Sequence, residues 1–145
     1  MIYVLLTVVL MVIDQVIKWL VTAHLSVNQT TTMIPGIFDL TNLHNTGAAW
    51  SMLEGQQWFF IIITIVALVV IAWLMRYYRG RRWPEISLCL ILAGTLGNFI
   101  DRLRLGYVVD MFELVPVNFP VFNFADSLLT IGVILLAIQI LKEDD

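Results

Sequence analysis

The chain is poor in charge. Asp, Glu, Lys and Arg make up 13% of its 145 residues, about half the share of an ordinary soluble domain. Hydrophobic residues make up 60%, and the mean hydropathy is +0.90. A water-facing surface cannot be built around so much apolar side chain, so lipid must solvate much of the molecule. Cysteine is nearly absent. Cys89 stands alone, which excludes an internal disulfide framework and a multi-cysteine zinc site. In the middle of an apolar segment it reads as a small packing residue. No HExxH pattern surrounds His24 or His44, and both read as solvated loop histidines rather than zinc ligands. Ser51, Ser87 and Ser127 lack a nucleophile elbow or an adjacent base. Ser127 reads instead as a helix-start hydroxyl. No internal repeat or low-complexity segment is evident.

What is present in quantity is long apolar runs. Four segments, about 2–21, 58–75, 86–105 and 121–141, each supply the roughly 20 residues that carry a helix across a bilayer. The first is expected to remain in place rather than be cleaved as a signal peptide. It lacks a basic start, and Asp14 and Lys18 interrupt the place where a cleavage site would follow. Positive residues give the orientation. The link between spans two and three, "RYYRGRRWPE", holds Arg76, Arg79, Arg81 and Arg82, whereas the segment from Thr22 to Gln57 has no Lys or Arg. The arginine-rich link is expected inside, both termini with it, and the long polar segment outside. Arg102 and Arg104 oppose this distribution, so local work is expected of them. Trp19, Trp58, Trp73 and Trp83 fall near span ends, as interfacial aromatics do.

The outer segments read as structured. Thr30–Thr32 and Ile37–Leu43 favour strands around a Pro35–Gly36 turn, and Tyr107–Leu114 and Val117–Phe122 suggest two more. A small sheet on the outer face of the bundle is expected. The stretch "NTGAAWSMLEG" suggests a short amphipathic helix lying at the interface.

The polar residues of the spans gather at one depth. Asp14 and Lys18 are one helical turn apart and can pair. Asn98, Asp101 and Arg102 lie in the outer part of span three. Asn123 and Asp126 open span four, and Asp110 sits on the connection before it. Polar side chains used only as packing glue would scatter through the bundle. A shared pocket near the outer face is the default functional reading. Two neighbouring carboxylates suit hydrolysis without a covalent intermediate, because like charges keep one protonated as acid while the other serves as base. The residues alone leave a second reading open: Asp126 as a helix N-cap and Asp110 as a loop acid. Asp14–Lys18 reads as a structural ion pair, and Asp101–Arg102 as a capping and anchoring cluster. A small exporter or a structural subunit are the rival classes. An exporter's acids would lie nearer the midplane, and a structural subunit would not need acids gathered at one depth.

The motifs "DQVIKWL", "NLHNTGAAWSML", "GTLGNFIDRL", "GYVVDMFEL" and "VFNFADSLLTIG" occur in this order along nearly the whole chain. Together they resemble bacterial lipoprotein signal peptidase, the type II signal peptidase. The resemblance implies an all-α, four-helix membrane aspartic endopeptidase forming a single domain over residues 1–145, with a small extracytoplasmic sheet. It implies catalytic Asp110 and Asp126, supported by Asp14, Lys18, Asn45, Gly47, Ala48, Asn98, Asp101, Arg102, Asn123 and Ala125. It further implies diacylglyceryl prolipoproteins as substrates, cut on the amino side of the lipidated cysteine, and inhibition by the cyclic peptide globomycin. The expected setting is the bacterial inner membrane, with lipid around a monomer. No metal, no other cofactor and no nucleic acid is expected.

Overall fold

The computed structural model describes residues 2–48 and 52–143. Four helices, α1 (Ile2–His24), α2 (Gln57–Tyr77), α3 (Arg82–Leu105) and α4 (Phe124–Glu143), are each long and apolar enough to cross a membrane. They match the four apolar runs, with shifted ends. α3 begins four residues before the expected span and takes in Pro84. Proline is tolerated there because first-turn N–H groups have no partner within the helix. α4 begins at Phe124 rather than Val121, since Asn123 caps it.

α3 is the centre of the bundle and packs against each of the other helices. It buries Ser87, Leu88, Cys89, Ala93, Gly94 and Asn98 among others, whereas α2 buries only Ile71. The long apolar side chains of α2, such as Trp58, Ile62, Val66 and Val69, face outward, as lipid solvation requires. Helices in lipid are held by close packing and internal polar contacts, and small residues permit the approach. A Cβ on Gly132 would stand 2.7 Å from Ile91, and one on Gly97 would stand 2.5 Å from an Asp14 carboxylate oxygen. At one end of the bundle the core is apolar, built from Ile71, Tyr78, Leu88, Ile91 and Leu136. At the other end it is polar and holds Asp14, Lys18, Asn98 and Asp101.

Strands β1 (Thr30–Ile34), β2 (Phe38–Asn45) and β3 (Val108–Leu114) form an antiparallel sheet in that order. Val109 and Met111 of β3 pack against Val21 near the end of α1. That contact seats the sheet on the bundle. β3 follows α3 closely because Gly106 ends the helix in the left-handed conformation, its N–H donating to the Arg102 carbonyl. Residues Val108–Met111 are buried on both faces, so Asp110 enters the protein from the strand.

The expected strand over Val117–Phe122 does not form. Residues 115–118 make a turn, and only Phe122 pairs, across from Phe112. Pro116 and Pro120 account for this, since neither has an N–H to give to a ladder. Where an interfacial helix was expected, Thr46–Ala48 form a bend and Met52–Gly55 a turn. Leu53 and Gly55 have positive φ, and the Gly55 N–H donates to the Thr46 carbonyl. Ala49, Trp50 and Ser51 of that stretch lie outside the described residues.

Candidate active site

Three elements converge on one cavity of about 190 Å³. β3 brings Asp110, α4 brings Asp126 in its first turn, and α3 brings Asn98 and Arg102. Asn45, Gly47 and Ala48 close one side, and the Phe119–Phe122 segment closes another. The Met111 and Phe112 N–H groups both donate to the Phe122 carbonyl. This bridge covers the free edge of β3 and aims the chain into α4.

Asp110 is buried, and both its oxygens accept hydrogen bonds. Asn45 Nδ2 donates to Oδ2 at 2.8 Å, and Asn123 Nδ2 donates to Oδ1 at 2.6 Å. Strand register makes the first bond: Asn45 pairs with Val108, so Asp110 lies two residues on and on the same face. Burial first, and then the charge of Asp126, push the Asp110 carboxyl up from 3.8 to about 7, against donation by Asn45 and Asn123.

Asp126 is half-buried. Asn98 Nδ2 donates to its Oδ1 at 2.8 Å, and the Asn123 N–H donates to its Oδ2 at 3.1 Å. In return, the Asp126 N–H donates to Asn123 Oδ1 at 2.9 Å. This is a reciprocal capping box with Asn123 at the N-cap and Asp126 three residues on. The helix-start role considered for Asp126 therefore belongs to Asn123. Asp126 keeps a carboxylate edge on the cavity.

Behind the cavity lies a second polar layer centred on Lys18, which is almost wholly buried. Its Nζ reaches Asp14 at 3.0 Å, Asp101 at 2.8 Å and Asn98 Oδ1 at 2.9 Å, using all three of its protons. The ammonium fixes which way the Asn98 amide faces: oxygen toward Lys18, NH2 toward Asp126. Asn98 Oδ1 also accepts from Asn123 Nδ2 at 3.1 Å. Both candidate acids thus hang from one hydrogen-bonded chain that ends on Lys18. Asp14 Oδ1 accepts from the Ala125 N–H at 2.9 Å, and Asp101 Oδ2 accepts from the Val109 N–H at 3.3 Å. The ionic layer therefore also ties down the first turn of α4 and the start of β3.

The sequence-expected residues divide into two groups. Asn45, Gly47, Ala48, Asn98, Arg102, Asp110 and Asp126 line the cavity. Asp14, Lys18, Asp101, Asn123 and Ala125 stand behind it, each joined to the network by the bonds above. The Asp101–Arg102 cluster splits: Asp101 faces Lys18, while Arg102 lies over the Phe60 ring at 4.9 Å and has a long, 3.5 Å contact to the Gly47 carbonyl. Sequence reasoning missed Gln15, whose Nε2 joins Asp101 Oδ1 at 3.0 Å to the Gly97 carbonyl at 3.2 Å. An amide beside Asp14 in an apolar span was the available signal. It also missed Val108 and the hydrophobic wall at Phe119–Phe122. His44 is not simply solvated: it is half-buried and stacks on Tyr107 with ring centroids 3.9 Å apart, and burial lowers its pKa. Among the described residues no cluster of three or more His, Cys, Asp or Glu is arranged to hold a metal ion.

Known proteins match this architecture closely. The lipoprotein signal peptidase of Lactiplantibacillus plantarum is 54% identical over 99% of this chain and 96% of its own length. That of Enterococcus faecalis is 46% identical over 99% and 89%. A bacterial membrane enzyme solved by the in meso method at 2.3 Å resolution superposes with a TM-score of 0.93, at 37% identity, covering 99% of this chain and 89% of that one. A second such structure, at 1.9 Å, gives 0.89 at 38% identity over 97% and 92%. A family model described as signal peptidase (SPase) II matches residues 6–142, and the chain belongs to that family of aspartic peptidases.

Proposed function

We propose that Asp110 and Asp126 are the catalytic pair with which this membrane endopeptidase removes the signal peptide from diacylglyceryl-modified prolipoproteins. The observation that carries the proposal is the single cavity in which both carboxylates are held by one chain of asparagine amides. Asp110, buried and with its pKa raised to about 7, serves as the acid of the pair. Asp126, at the start of α4, serves as the base. A water between them gives a proton to Asp126 as its oxygen attacks the scissile carbonyl carbon. Asp110 gives its proton to the carbonyl oxygen, which yields a neutral diol. Asp126 then gives its proton to the amide nitrogen while Asp110 takes one back from a diol hydroxyl. The C–N bond breaks, a carboxyl group forms on the signal peptide, and the lipidated cysteine is freed as a new N-terminus with the pair restored. Asn45 and Asn98 position the acids, and Arg102 is placed to hold a backbone carbonyl of the substrate.

Lipidation suits this site. A second, largely apolar cavity of about 360 Å³ runs from Asp126 along Thr130 and Ile131 of α4, sharing Phe119 and Phe122 with the first. Acyl chains arriving sideways from the bilayer would pass there, with about 0.8 kcal/mol of burial per CH₂ holding the cysteine at the depth of the pair. Globomycin would occupy the cavity that holds the pair. We further propose that the termini and the Arg76–Arg82 link are cytoplasmic, with the cavity near the outer face of a monomer. The test is purified protein incubated with a diacylglyceryl prolipoprotein and its unlipidated counterpart. Release of a product beginning at the lipidated cysteine, with the unlipidated form spared, is expected. Equal cleavage of both forms would defeat the lipid-directed reading.

A further inference from the structure

On a face away from the catalytic cavity, α1 and α3 bound two adjoining hollows of about 140 and 320 Å³ that share Gln15, Trp19 and Arg104. Neither hollow includes a residue of the candidate pair. The larger one descends along Val16, Val12 and Met11 of α1 and is mostly apolar. From Trp19 to Met11 it spans eight residues, or about 12 Å of helix, toward the middle of the bilayer. Its upper end is different in kind. Trp19 is largely exposed, as an interfacial anchor would be. Arg104 is exposed at the last turn of α3 and makes no ion pair or hydrogen bond among the described residues. The one carboxylate lining these hollows, Asp101, is already committed to Lys18. Arg104 therefore carries an uncompensated positive charge above an apolar trough. It also lies on the side of the bundle where the distribution of basic residues leaves it unexplained.

We propose that this trough is a binding site for one anionic phospholipid of the adjacent leaflet. The phosphate sits against Arg104, the glycerol region lies beside Trp19 and the Gln15 amide, and one acyl chain lies along Val16, Val12 and Met11. Charge selects the headgroup, and the trough's length and polarity gradient select a lipid over a soluble anion. The simpler reading is that Arg104 only complements the negative end of α3. That reading predicts no preference among lipids.

Native mass spectrometry of the delipidated protein separates the two. The protein is titrated with phosphatidylglycerol and with phosphatidylcholine of identical chains. Wild type should retain one phosphatidylglycerol more tightly than any phosphatidylcholine. Arg104→Gln should weaken that adduct about fivefold, the weight of one interfacial arginine against an anionic headgroup, and leave phosphatidylcholine unaffected. Arg79→Gln, in the opposite loop, should not weaken it, and Val12→Trp, which fills the trough, should weaken it. Equal retention of the two lipids by wild type, an unchanged adduct in Arg104→Gln, or an equal loss in Arg79→Gln overturns the proposal.

Discussion

Replacing Asp110 with Asn should make the protein less stable at pH 4 and more stable at pH 8. The reversal follows from the environment of this one carboxyl. In the fold its pKa rises from 3.8 to about 7, chiefly through burial and then through the charge of Asp126. A carboxyl raised in the folded state stabilises the fold fully below its unfolded value. That stability is lost as pH climbs through the folded value. Between about pH 4 and 7 wild type should therefore lose roughly 4 kcal/mol, about three pH units at about 1.36 kcal/mol each. Above that the loss is complete. Asn cannot ionise, so the variant escapes this loss. It incurs a different one, because Asn45 and Asn123 each donate an NH2 to Asp110 and an Asn side chain has only one acceptor oxygen. An orphaned buried donor costs about 1–3 kcal/mol at every pH. The two terms cross between about pH 4.5 and 6. The single buried thiol of Cys89 offers the assay: its labelling by a thiol-reactive dye on heating reports unfolding in detergent. A stability difference between wild type and Asp110→Asn that does not change with pH would refute the reasoning. It would show that Asp110 is ordinarily ionised in the fold.

The second layer makes its own prediction: Lys18→Met should cost about 3–5 kcal/mol, because it leaves Asp14 and Asp101 buried without their cation; the same dye assay reads it. Asn45→Ala removes a donor that favours ionised Asp110, so the alkaline fall of kcat/KM, near pH 7 in wild type, should move to higher pH. A pH–rate profile unshifted or shifted downward would contradict the assignment. For topology, a cysteine placed at Arg79 in a Cys89→Ser background should react with an impermeant maleimide only from the cytoplasmic side of sealed vesicles.

Much of this was legible in the sequence because lipid inverts the usual rule. Apolar residues then say little beyond the number of spans, while each buried charge must have a reason. Asp14, Lys18, Asn98, Asp101 and Asp126 could be gathered at one level by counting along helices, and Asp110 by its place on the connection before span four. What counting could not give was which of them face the cavity. Asp14, Lys18 and Asp101 share a level with Asp126 but turn toward one another, and that depends on how α1 and α3 are rotated. Gly97 sets the rotation locally, since its bare Cα is what lets the Asp14 carboxylate come so near. Asn123 looked like one supporting amide among several. Its place at the hub needs three partners from three separate segments, Asn98, Asp110 and Asp126. The strand error at Val117–Phe122 has a local cause. Its residues suggested a strand, but Pro116 and Pro120 left only the Phe122 bridge, and the segment became a cavity wall instead.

The most direct test of the central claim is a single-turnover comparison of four purified proteins on a lipidated prolipoprotein: wild type, Asp110→Asn, Asp126→Asn and the double variant. If the two acids act as one unit, each single replacement should slow cleavage by a factor on the order of 10³ or more, within the range or above it for loss of a general acid or base. The double variant should then be no slower than the singles. Cleavage near the wild-type rate by either single variant, folded by the Cys89 assay, would contradict the account.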